Sequence, residues 1–377
     1  RAMQVLEEFW ASRRATDAPS ATHFVVGNEA ADLDSIACAI AFAFFERDQT
    51  WVPVVQARRD DLRLRRENLA VLERCGIEAS SLCCLDELPT MSRDKHVVLV
   101  DHNQATKYFQ QATIDRIFDH HKDEHQHMNA RRVIYSPDDA GSCASVLTMH
   151  WRPDDVPAFV ADLLYMAILL DTMNFNRGAG KAQTLDYEAQ QCLAPHLSFP
   201  IEHQDALFHG LQRVKNDTSH LSTTDQLRRD YKQMTCAAAH GGCWTIGMAS
   251  VTIPLRAITE AGGFYDDALA FAEEHQVDVL MVLAGYQDEQ AAWRRELMLL
   301  ASEANAKRGV QDLAERLSSL QSHMVDLEPL DSVAHDARAD QKRDAYFAVA
   351  WNQKDLRATR KQFVPAIQEV CRHVARS

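Results

Sequence analysis

Hydrophobic residues in the first half of the chain fall into short runs that alternate with longer, mostly apolar stretches. The short runs have the length of buried strands, and the longer ones have the length of helices. The pattern predicts strands over 23–27, 51–56, 96–100, 114–118 and 132–135, and helices over 35–46, 67–75, 142–151 and 156–171. Because strands that alternate with helices favour βαβ units, we predict a mainly parallel sheet flanked by helices.

The second half of the chain begins with a polar stretch. Residues from about 184 to 233 follow a helical pattern broken by Pro195 and Pro200, which predicts a helical linker. Apolar runs then predict strands over 243–253, 277–286, 295–301 and 346–351, with helices over 265–274, 311–322 and 360–374. We therefore predict an α/β protein of two domains. Residues 1–190 form the first domain, 191–225 the linker region, and 226–377 a smaller domain with a mixed sheet.

Charge and composition narrow the classes of function. The formal net charge of −14 disfavours broad binding to nucleic acid, which needs a basic face. The nine cysteines lack the paired CxxC motifs of a zinc ribbon, and we expect reduced, mostly buried thiols. No apolar stretch is long enough to span a membrane, and none near the start resembles a signal peptide. We expect a cytoplasmic protein that binds neither membranes nor duplex nucleic acid.

A loop at residues 27–35 follows the first predicted strand and leads into a helix. It contains Asp32 and Asp34, and both carboxylates can face one cavity at the carboxyl end of the sheet, where ligands gather. Carboxylate oxygens are the ligands that hard divalent cations prefer. Capping of the helix by Asp32, Asp34 or Ser35 accounts for the same residues equally well. This loop alone therefore predicts either a metal site or a helix cap.

Further acidic residues end other predicted elements. Asp101 and Asp119 each end an apolar strand, and His120 and His121 follow Asp119. Asp171 ends an apolar helix, where a carboxylate opposes the helix dipole unless a cation lies nearby. Imidazole with carboxylate suits Mn, Co, Fe or Zn, and carboxylate alone suits Mg. The pattern predicts five ligands, with one bridging carboxylate, for two divalent cations about 3.5–4 Å apart. These ligands are Asp32, Asp34, Asp101, His120 and Asp171.

The order of these motifs resembles that of the DHH phosphoesterase superfamily. Asp-x-Asp-Ser, Asp-His-Asn, Asp-His-His and a final Asp follow one another within residues 23–175. Residues 359–362 (TRKQ) resemble the Ser-Arg-Lys motif of the DHHA2 domain, and residues 230–232 (DYK) resemble the stretch that supplies another phosphate-binding lysine there. That domain occurs in family II inorganic pyrophosphatases, exopolyphosphatases of the yeast type and prune proteins. The resemblance implies a metal-dependent hydrolase of phosphoanhydride bonds.

Two positions discriminate among these relatives. Family II pyrophosphatases have His four residues before the first Asp, where this chain has Asn28, and animal prune proteins replace the second His of the Asp-His-His motif, where this chain has His121. The chain therefore looks most like a yeast-type exopolyphosphatase. The resemblance implies that Asp101, His120 and His121 are catalytic. It implies substrate contacts for Asn28, His121, Lys232, Arg360 and Lys361.

Two more segments resemble the same subfamily. In the basic stretch 58–66, Arg59 and Arg65 either guide a polyanion or pair with the carboxylates at positions 60, 61 and 67, and ion pairing is the favoured interpretation. Ser142, in a Gly-Ser-Cys sequence, is interpreted mainly as a helix start, with a phosphate contact as a second role.

The resulting hypothesis is an exopolyphosphatase that uses two divalent cations, Mg²⁺ or Mn²⁺ or Co²⁺. Water attacks the terminal phosphorus of inorganic polyphosphate, and orthophosphate leaves one unit at a time. The alternatives are an inorganic pyrophosphatase, a nucleotide phosphodiesterase, and a prune-like scaffold that binds other proteins. A monomer is the favoured state, and an organelle that stores polyphosphate is the alternative to the cytoplasm.

Overall fold

The computed structural model describes residues 2–152, 154–176, 181–260, 262–290, 292–305, 309–320, 325–330, 346–356, 358 and 360–376. The side chains of residues 2, 3, 15, 361 and 362 lie outside this description. The chain divides into two compact units, Arg1–Lys215 and Asn216–Ser377. The helices of the described ranges are all too short or too polar to cross a membrane. All nine cysteines are free thiols.

A parallel sheet forms the centre of the first unit. Its strands are β1 (His23–Val26), β2 (Val52–Val55), β3 (Cys83–Cys84), β4 (His96–Val100), β5 (Thr113–Asp119) and β6 (Arg131–Ile134). They lie in the order β3-β2-β1-β4-β5-β6, and every neighbouring pair is parallel. The strand order reverses between β1 and β4, and ligands bind at such a point in open α/β sheets. The predicted parallel sheet is confirmed, and only the two-residue β3 is too short to have an apolar pattern.

Helices cover one face of this sheet. They are α1 (Ala2–Trp10), α2 (Leu33–Phe45), α3 (Arg66–Arg74), α4 (Cys143–Trp151), α5 (Ala158–Asp171), α6 (Thr184–Leu193) and α7 (Gln204–Asn216). Nearly all of α2 and α5 is buried, which explains why these two helices have little amphipathic pattern. Each large apolar side chain buried there contributes about 1.5–3 kcal/mol. The opposite face is covered mainly by loops and 3₁₀ segments such as Lys107–Phe109.

The segment predicted as a linker, 191–225, contains the boundary between the two units, but most of it packs into the first unit. Leu193, Phe199, Phe208 and Leu211 are buried in the same apolar cluster as α2 and α5. The polar residues of this segment lie on the outer face of amphipathic helices. Because they outnumber the apolar residues, the sequence pattern did not reveal the buried face. The core of the first unit therefore extends beyond residue 190.

The second unit is built on a mixed sheet. Its strands are β7 (Tyr231–Ala237), β8 (Cys243–Val251), β9 (Val279–Gln287), β10 (Trp293–Ser302), β11 (Leu327–Pro329) and β12 (Tyr346–Gln353), in the order β11-β12-β10-β9-β8-β7. Only β8 and β9 pair in parallel. Its helices are α8 (Thr223–Arg229), α9 (Leu255–Glu260), α10 (Phe264–Glu274), α11 (Glu303–Asn305), α12 (Gln311–Ser319) and α13 (Arg360–Cys371). The prediction of a mixed α/β domain is confirmed.

The sequence pattern missed strand β7. The predicted helical stretch reached residue 233, whereas β7 begins at Tyr231 and is an edge strand in which only Cys236 is fully buried. An edge strand with so little burial has no clear apolar alternation. The difference places Lys232 on a strand rather than on a helix.

Candidate metal centre

Asp101, the residue after β4, has an unusual backbone and an unusual carboxylate. Its φ of 64° lies in the left-handed region, which is sparsely populated outside glycine and stores strain at functional sites. Asp101 is buried, and its Oδ2 accepts hydrogen bonds from Asn28 Nδ2 at 2.6 Å and Ser35 Oγ at 2.8 Å. Its Oδ1 is buried without a hydrogen-bond partner in the described structure. A buried carboxylate oxygen without a partner is costly unless a cation binds it.

Asp119, at the end of β5, organises the two histidines that follow it. It is fully buried, and its Oδ1 accepts hydrogen bonds from the backbone N–H groups of His120 and His121 and from His121 Nδ1, the last at 2.8 Å. Its Oδ2 accepts from Asn103 Nδ2. His120 Nδ1 donates to the carbonyl of Ala140 at 3.2 Å, which leaves Nε2 as the ring atom for a cation. Asp119 thus orients the ligand atoms and has no free oxygen of its own.

Asp34 lies in the first turn of α2 and is completely buried. Its carboxylate accepts hydrogen bonds from Ser142 Oγ at 2.9 Å and from the backbone N–H groups of Cys143 and Ala144 at 2.7 and 2.8 Å. These donors form the first turn of α4, where free N–H groups and the helix dipole stabilise an anion. The contacts fix the position of the Asp34 carboxylate at the carboxyl edge of the sheet.

Asp171 is the last residue of α5, and a strained turn follows it. Met173, Asn174 and Phe175 all have positive φ values, which few residues other than glycine adopt in succession. The turn is held by the burial of Phe175 and by a 2.7 Å hydrogen bond from Tyr187 Oη to the carbonyl of Phe175. The chain therefore maintains an unfavourable backbone beside Asp171, as is common at functional sites.

Four of the five predicted ligands come together around His120. Its Nε2 lies 3.2 Å from Asp101 Oδ1 and 3.8 Å from Asp34 Oδ2. Two groups have ligand atoms within 4.8 Å of one another, Asp101 with His120 and His121, and Asp34 with His120 and Asp171. His120 belongs to both groups. Carboxylates and imidazole converge there on a buried oxygen that lacks a partner, and this donor set fits a divalent transition metal or Mg²⁺.

The electrostatics of the metal-free site are unfavourable in a way that a cation would relieve. Burial, together with the charges of Asp34 and Asp32, raises the pKa of Asp101 to about 7, and the same causes raise the pKa of Asp171. Burial opposes the charged form of His120, but Asp101, Asp34 and Asp171 outweigh it and raise its pKa to about 10. Without a metal the carboxylates thus repel one another, and a proton on His120 takes the place of the cation.

We expect metal binding at neutral pH to release protons. Because the pKa of His120 is raised, its ring is protonated at pH 7, and a bound cation must displace that proton. The affinity for Mn²⁺ should rise about tenfold per pH unit between pH 6 and 8 for each proton displaced. Calorimetry at pH 7 in two buffers of different ionisation enthalpy measures the number released. A value near zero would contradict the role of His120 as a ligand.

The fifth predicted ligand, Asp32, is the N-cap of α2. Its Oδ1 accepts a hydrogen bond from the Ser35 N–H at 3.1 Å, and it belongs to neither of the two groups around His120. Asp32 therefore caps α2, and its charge acts on Asp101 and Asp171, while its role as a metal ligand stays a prediction. Asn28, predicted to contact substrate, uses its Nδ2 to hold Asp101 and its Oδ1 to accept from the Ala30 N–H.

Three further candidate substrate residues are engaged within the first unit. Arg59 forms an ion pair with Glu87 and donates to the carbonyls of Ala79 and Leu82. Ion pairing is therefore the correct interpretation of Arg59, although its partner lies outside the stretch that the sequence suggested. Arg65 Nη1 lies 3.7 Å from Glu67 Oε1, an ion pair that the sequence suggested. Ser142 is fully buried, starts α4 as predicted, and donates to Asp34 instead of facing solvent.

The basic residues expected in the second unit lie at one end of its sheet. Arg360 begins α13, as predicted, and donates to Asp230 Oδ1 at 2.7 Å and to the Asp230 carbonyl at 3.1 Å. Lys232 is exposed on β7, two residues after Asp230. Thr359 and the side chain of Lys361 lie outside the described residues.

Comparisons with known proteins agree with this architecture. The model of the DHH family N-terminal domain matches residues 22–168, and that of the DHHA2 domain matches residues 209–370. Exopolyphosphatase PRUNE1 of Rattus norvegicus is 26% identical and the alignment covers 92% of this chain and 75% of that protein. A Schizosaccharomyces pombe protein provisionally named as an exopolyphosphatase is 27% identical, with 96% of this chain and 93% of that protein covered.

A solved structure shares the fold. It is a Methanococcus jannaschii protein provisionally described as a family II inorganic pyrophosphatase, with a TM-score of 0.61 and 18% identity over 93% of this chain and 99% of that one. At this level of identity the likeness concerns the fold alone. The two domain matches confirm the resemblance that the motifs suggested. The chain combines a DHH family N-terminal domain with a DHHA2 domain.

Proposed function

We propose that this protein is an exopolyphosphatase that depends on divalent metal ions. The main support for the proposal is the Asp101 carboxylate, whose buried Oδ1 accepts no hydrogen bond among the described residues and lies 3.2 Å from His120 Nε2, beside Asp34 and Asp171. A divalent cation would relieve the repulsion among these buried carboxylates, and two such cations are the usual catalysts of phosphoanhydride hydrolysis. The names of the rat and S. pombe relatives support polyphosphate as the substrate.

The residues around the centre have separate tasks. Asp34, Asp101, His120 and Asp171 would hold the cations, which supply Lewis acidity and a hydroxide nucleophile near neutral pH. Asn28 and Ser35 fix Asp101 through its Oδ2, so that Oδ1 keeps its direction. His121 Nδ1 donates to Asp119, and Nε2 of the doubly protonated ring would donate a hydrogen bond to a phosphoryl oxygen. We propose that Lys232, Arg360 and Lys361 add positive charge for the phosphates.

The position of Asn28 favours polyphosphate over pyrophosphate. Its amide donates to Asp101 and its carbonyl oxygen accepts from the Ala30 N–H, so neither atom is available as a strong ligand for a transition metal. A site with one imidazole fewer is expected to tolerate Mg²⁺ better than a histidine-rich one. This difference from family II pyrophosphatases supports the exopolyphosphatase among the hydrolases considered.

A substrate panel tests the proposal. Orthophosphate release is measured from long-chain polyphosphate, tripolyphosphate, pyrophosphate and a cyclic nucleotide, each with Mg²⁺, Mn²⁺ and Co²⁺. We expect kcat/KM for long-chain polyphosphate to exceed that for pyrophosphate at least about tenfold, a difference of about 1.4 kcal/mol in transition-state stabilisation. Faster hydrolysis of pyrophosphate would overturn the proposal. Metal binding without any hydrolysis would support the scaffold alternative.

A further inference from the structure

Arg295 lies on strand β10, at the end of the second unit's sheet where Lys232 and Arg360 also lie. It pairs with Gly285 of β9, and Leu297, two residues further along β10, lies in the apolar cluster that includes α13. Arg295 therefore points to the face that α13 covers, because alternate residues of a strand share a face.

The side chain of Arg295 is half-buried and makes few polar contacts with the described residues. Its Nε donates to the carbonyl of Leu356 at 2.7 Å, and its guanidinium lies 5.7 Å from the ring of Trp293. Within the described ranges no carboxylate lies at ion-pair distance from Arg295, and burial lowers its pKa. A half-buried cation without a counter-ion is unfavourable, and an anion from solution would offset that cost.

The Trp293 ring and the Arg295 guanidinium lie over Gly285, which has no side chain to displace them. Gly285 stands opposite Arg295, and a Cβ there would come within 3.3 Å of the Trp293 ring and 3.5 Å of Arg295 Nη1. Its Nη1 and Nη2 make no hydrogen bond to the described residues, so both arms of the fork can bind. A guanidinium with two free N–H arms binds phosphate in a bidentate manner.

Two other basic side chains, Lys232 and Arg360, lie toward the same end of this sheet. In the register of the sheet, Lys232 lies opposite Met248, Met248 opposite Met281, and Met281 opposite Leu299. Leu299 and Arg295 are four residues apart on β10 and share a face, so Lys232 lies on that face as well. Leu356, the residue that Arg295 holds, lies in the short segment between the end of β12 and Arg360. Lys232, Arg295 and Arg360 therefore lie toward the same end of the sheet, Lys232 on β7 and Arg295 on β10.

We propose that Arg295 is a further phosphate-binding residue, which contacts a phosphate group of the polyphosphate chain. The proposal rests on the proposed function, because it extends the substrate site of the same enzyme. It assigns to Arg295 the binding of substrate rather than the bond cleavage itself. Its loss should therefore weaken binding in the ground state and the transition state alike.

The first test compares two neighbouring arginines. Arg295→Gln should raise KM for long-chain polyphosphate at least about tenfold while kcat changes less than about twofold, the behaviour of an interaction made equally in both states. Arg295→Lys, which keeps the charge without the fork, should recover part of the loss. Arg294→Gln is the matched control, since Arg294 is exposed and pairs with Asp288 at 2.7 Å, and its KM should not change. An unchanged KM in Arg295→Gln would overturn the proposal.

A second test does not depend on activity. Trp293 is 40% exposed beside the guanidinium, so its fluorescence should change when tripolyphosphate binds to the full-length chain. Trp293→Phe should lose that change, and Arg295→Gln should bind at least about tenfold more weakly at an unchanged melting temperature. If the wild type shows this binding but hydrolyses no polyphosphate, the proposed function fails and the role of Arg295 in binding stands. If it hydrolyses polyphosphate and binding is unchanged in Arg295→Gln, the role of Arg295 alone is refuted.

Discussion

Replacing His120 with alanine is expected to lower kcat/KM for polyphosphate at least about 1,000-fold. His120 belongs to both groups of candidate ligands, and its Nε2 lies next to Asp101 Oδ1 and Asp34 Oδ2. Loss of a residue that only orients a ligand typically costs about 10–100-fold in metal affinity or activity, and loss of a shared ligand should cost more. The variant should fold, since His120 is not a member of the apolar clusters that form the core of the first unit.

The matched control is His125→Ala. His125 lies four residues from His121 in the same loop, and its side chain is 80% exposed with Asp123 as its partner at 3.4 Å. Phosphate-release kinetics on both variants, with circular dichroism to establish folding, make the comparison. The control should keep activity within about twofold. A folded His120→Ala enzyme with wild-type turnover would remove His120 from the mechanism.

Asp101→Asn should abolish turnover and, at the same time, stabilise the metal-free protein. The amide keeps the hydrogen bonds from Asn28 and Ser35 to one oxygen, and asparagine tolerates the φ of 64°. The substitution removes a negative charge that burial and the charges of Asp34 and Asp32 disfavour. We expect a gain on the order of 0.5–2 kcal/mol in the free energy of unfolding, the usual size of stabilising changes at strained functional sites.

The pH dependence of that gain follows from the raised pKa of Asp101. Its folded-state value of about 7 lies above that of an unfolded carboxyl, so the folded metal-free protein loses stability as pH rises from about 4 to about 7. The gain of Asp101→Asn should thus be largest above pH 7 and vanish near pH 4. Thermal unfolding with a chelator measures it. With saturating Mn²⁺ the wild type should become the more stable of the two, because only it binds the ion tightly. A destabilised, metal-free variant at pH 8 would contradict this account.

The chain order of polar residues at strand ends predicted most of the metal centre. Asp101 and His120 directly follow apolar strands, and the parallel order of β4 and β5 brings them to one edge. The sequence could not predict what holds Asp34, because its partner Ser142 lies 108 residues away and the bond depends on where α4 begins. The sequence also could not predict the role of Asp119, whose carboxylate orients His120 and His121.

Several contacts of the polar residues depend on the fold and could not be predicted from the sequence. Arg59 pairs with Glu87, which the fold brings close to it in the segment after β3. The sequence alone suggested only carboxylates that are near Arg59 along the chain. Asp32 and Asp34 are equivalent in the sequence, and the geometry of α2 assigns one to the cap and the other to the buried cluster. Arg295 carries no motif, and only the register of β9 and β10 reveals its location.

The most direct measurement of the central claim is an anomalous difference map from crystals grown with Mn²⁺. The account predicts strong peaks within about 2.0–2.6 Å of His120 Nε2 and of carboxylate oxygens of Asp34, Asp101 and Asp171. One peak should contact Asp101 Oδ1, the buried oxygen that accepts no hydrogen bond among the described residues. A map at saturating Mn²⁺ with no peak beside that oxygen would contradict the account.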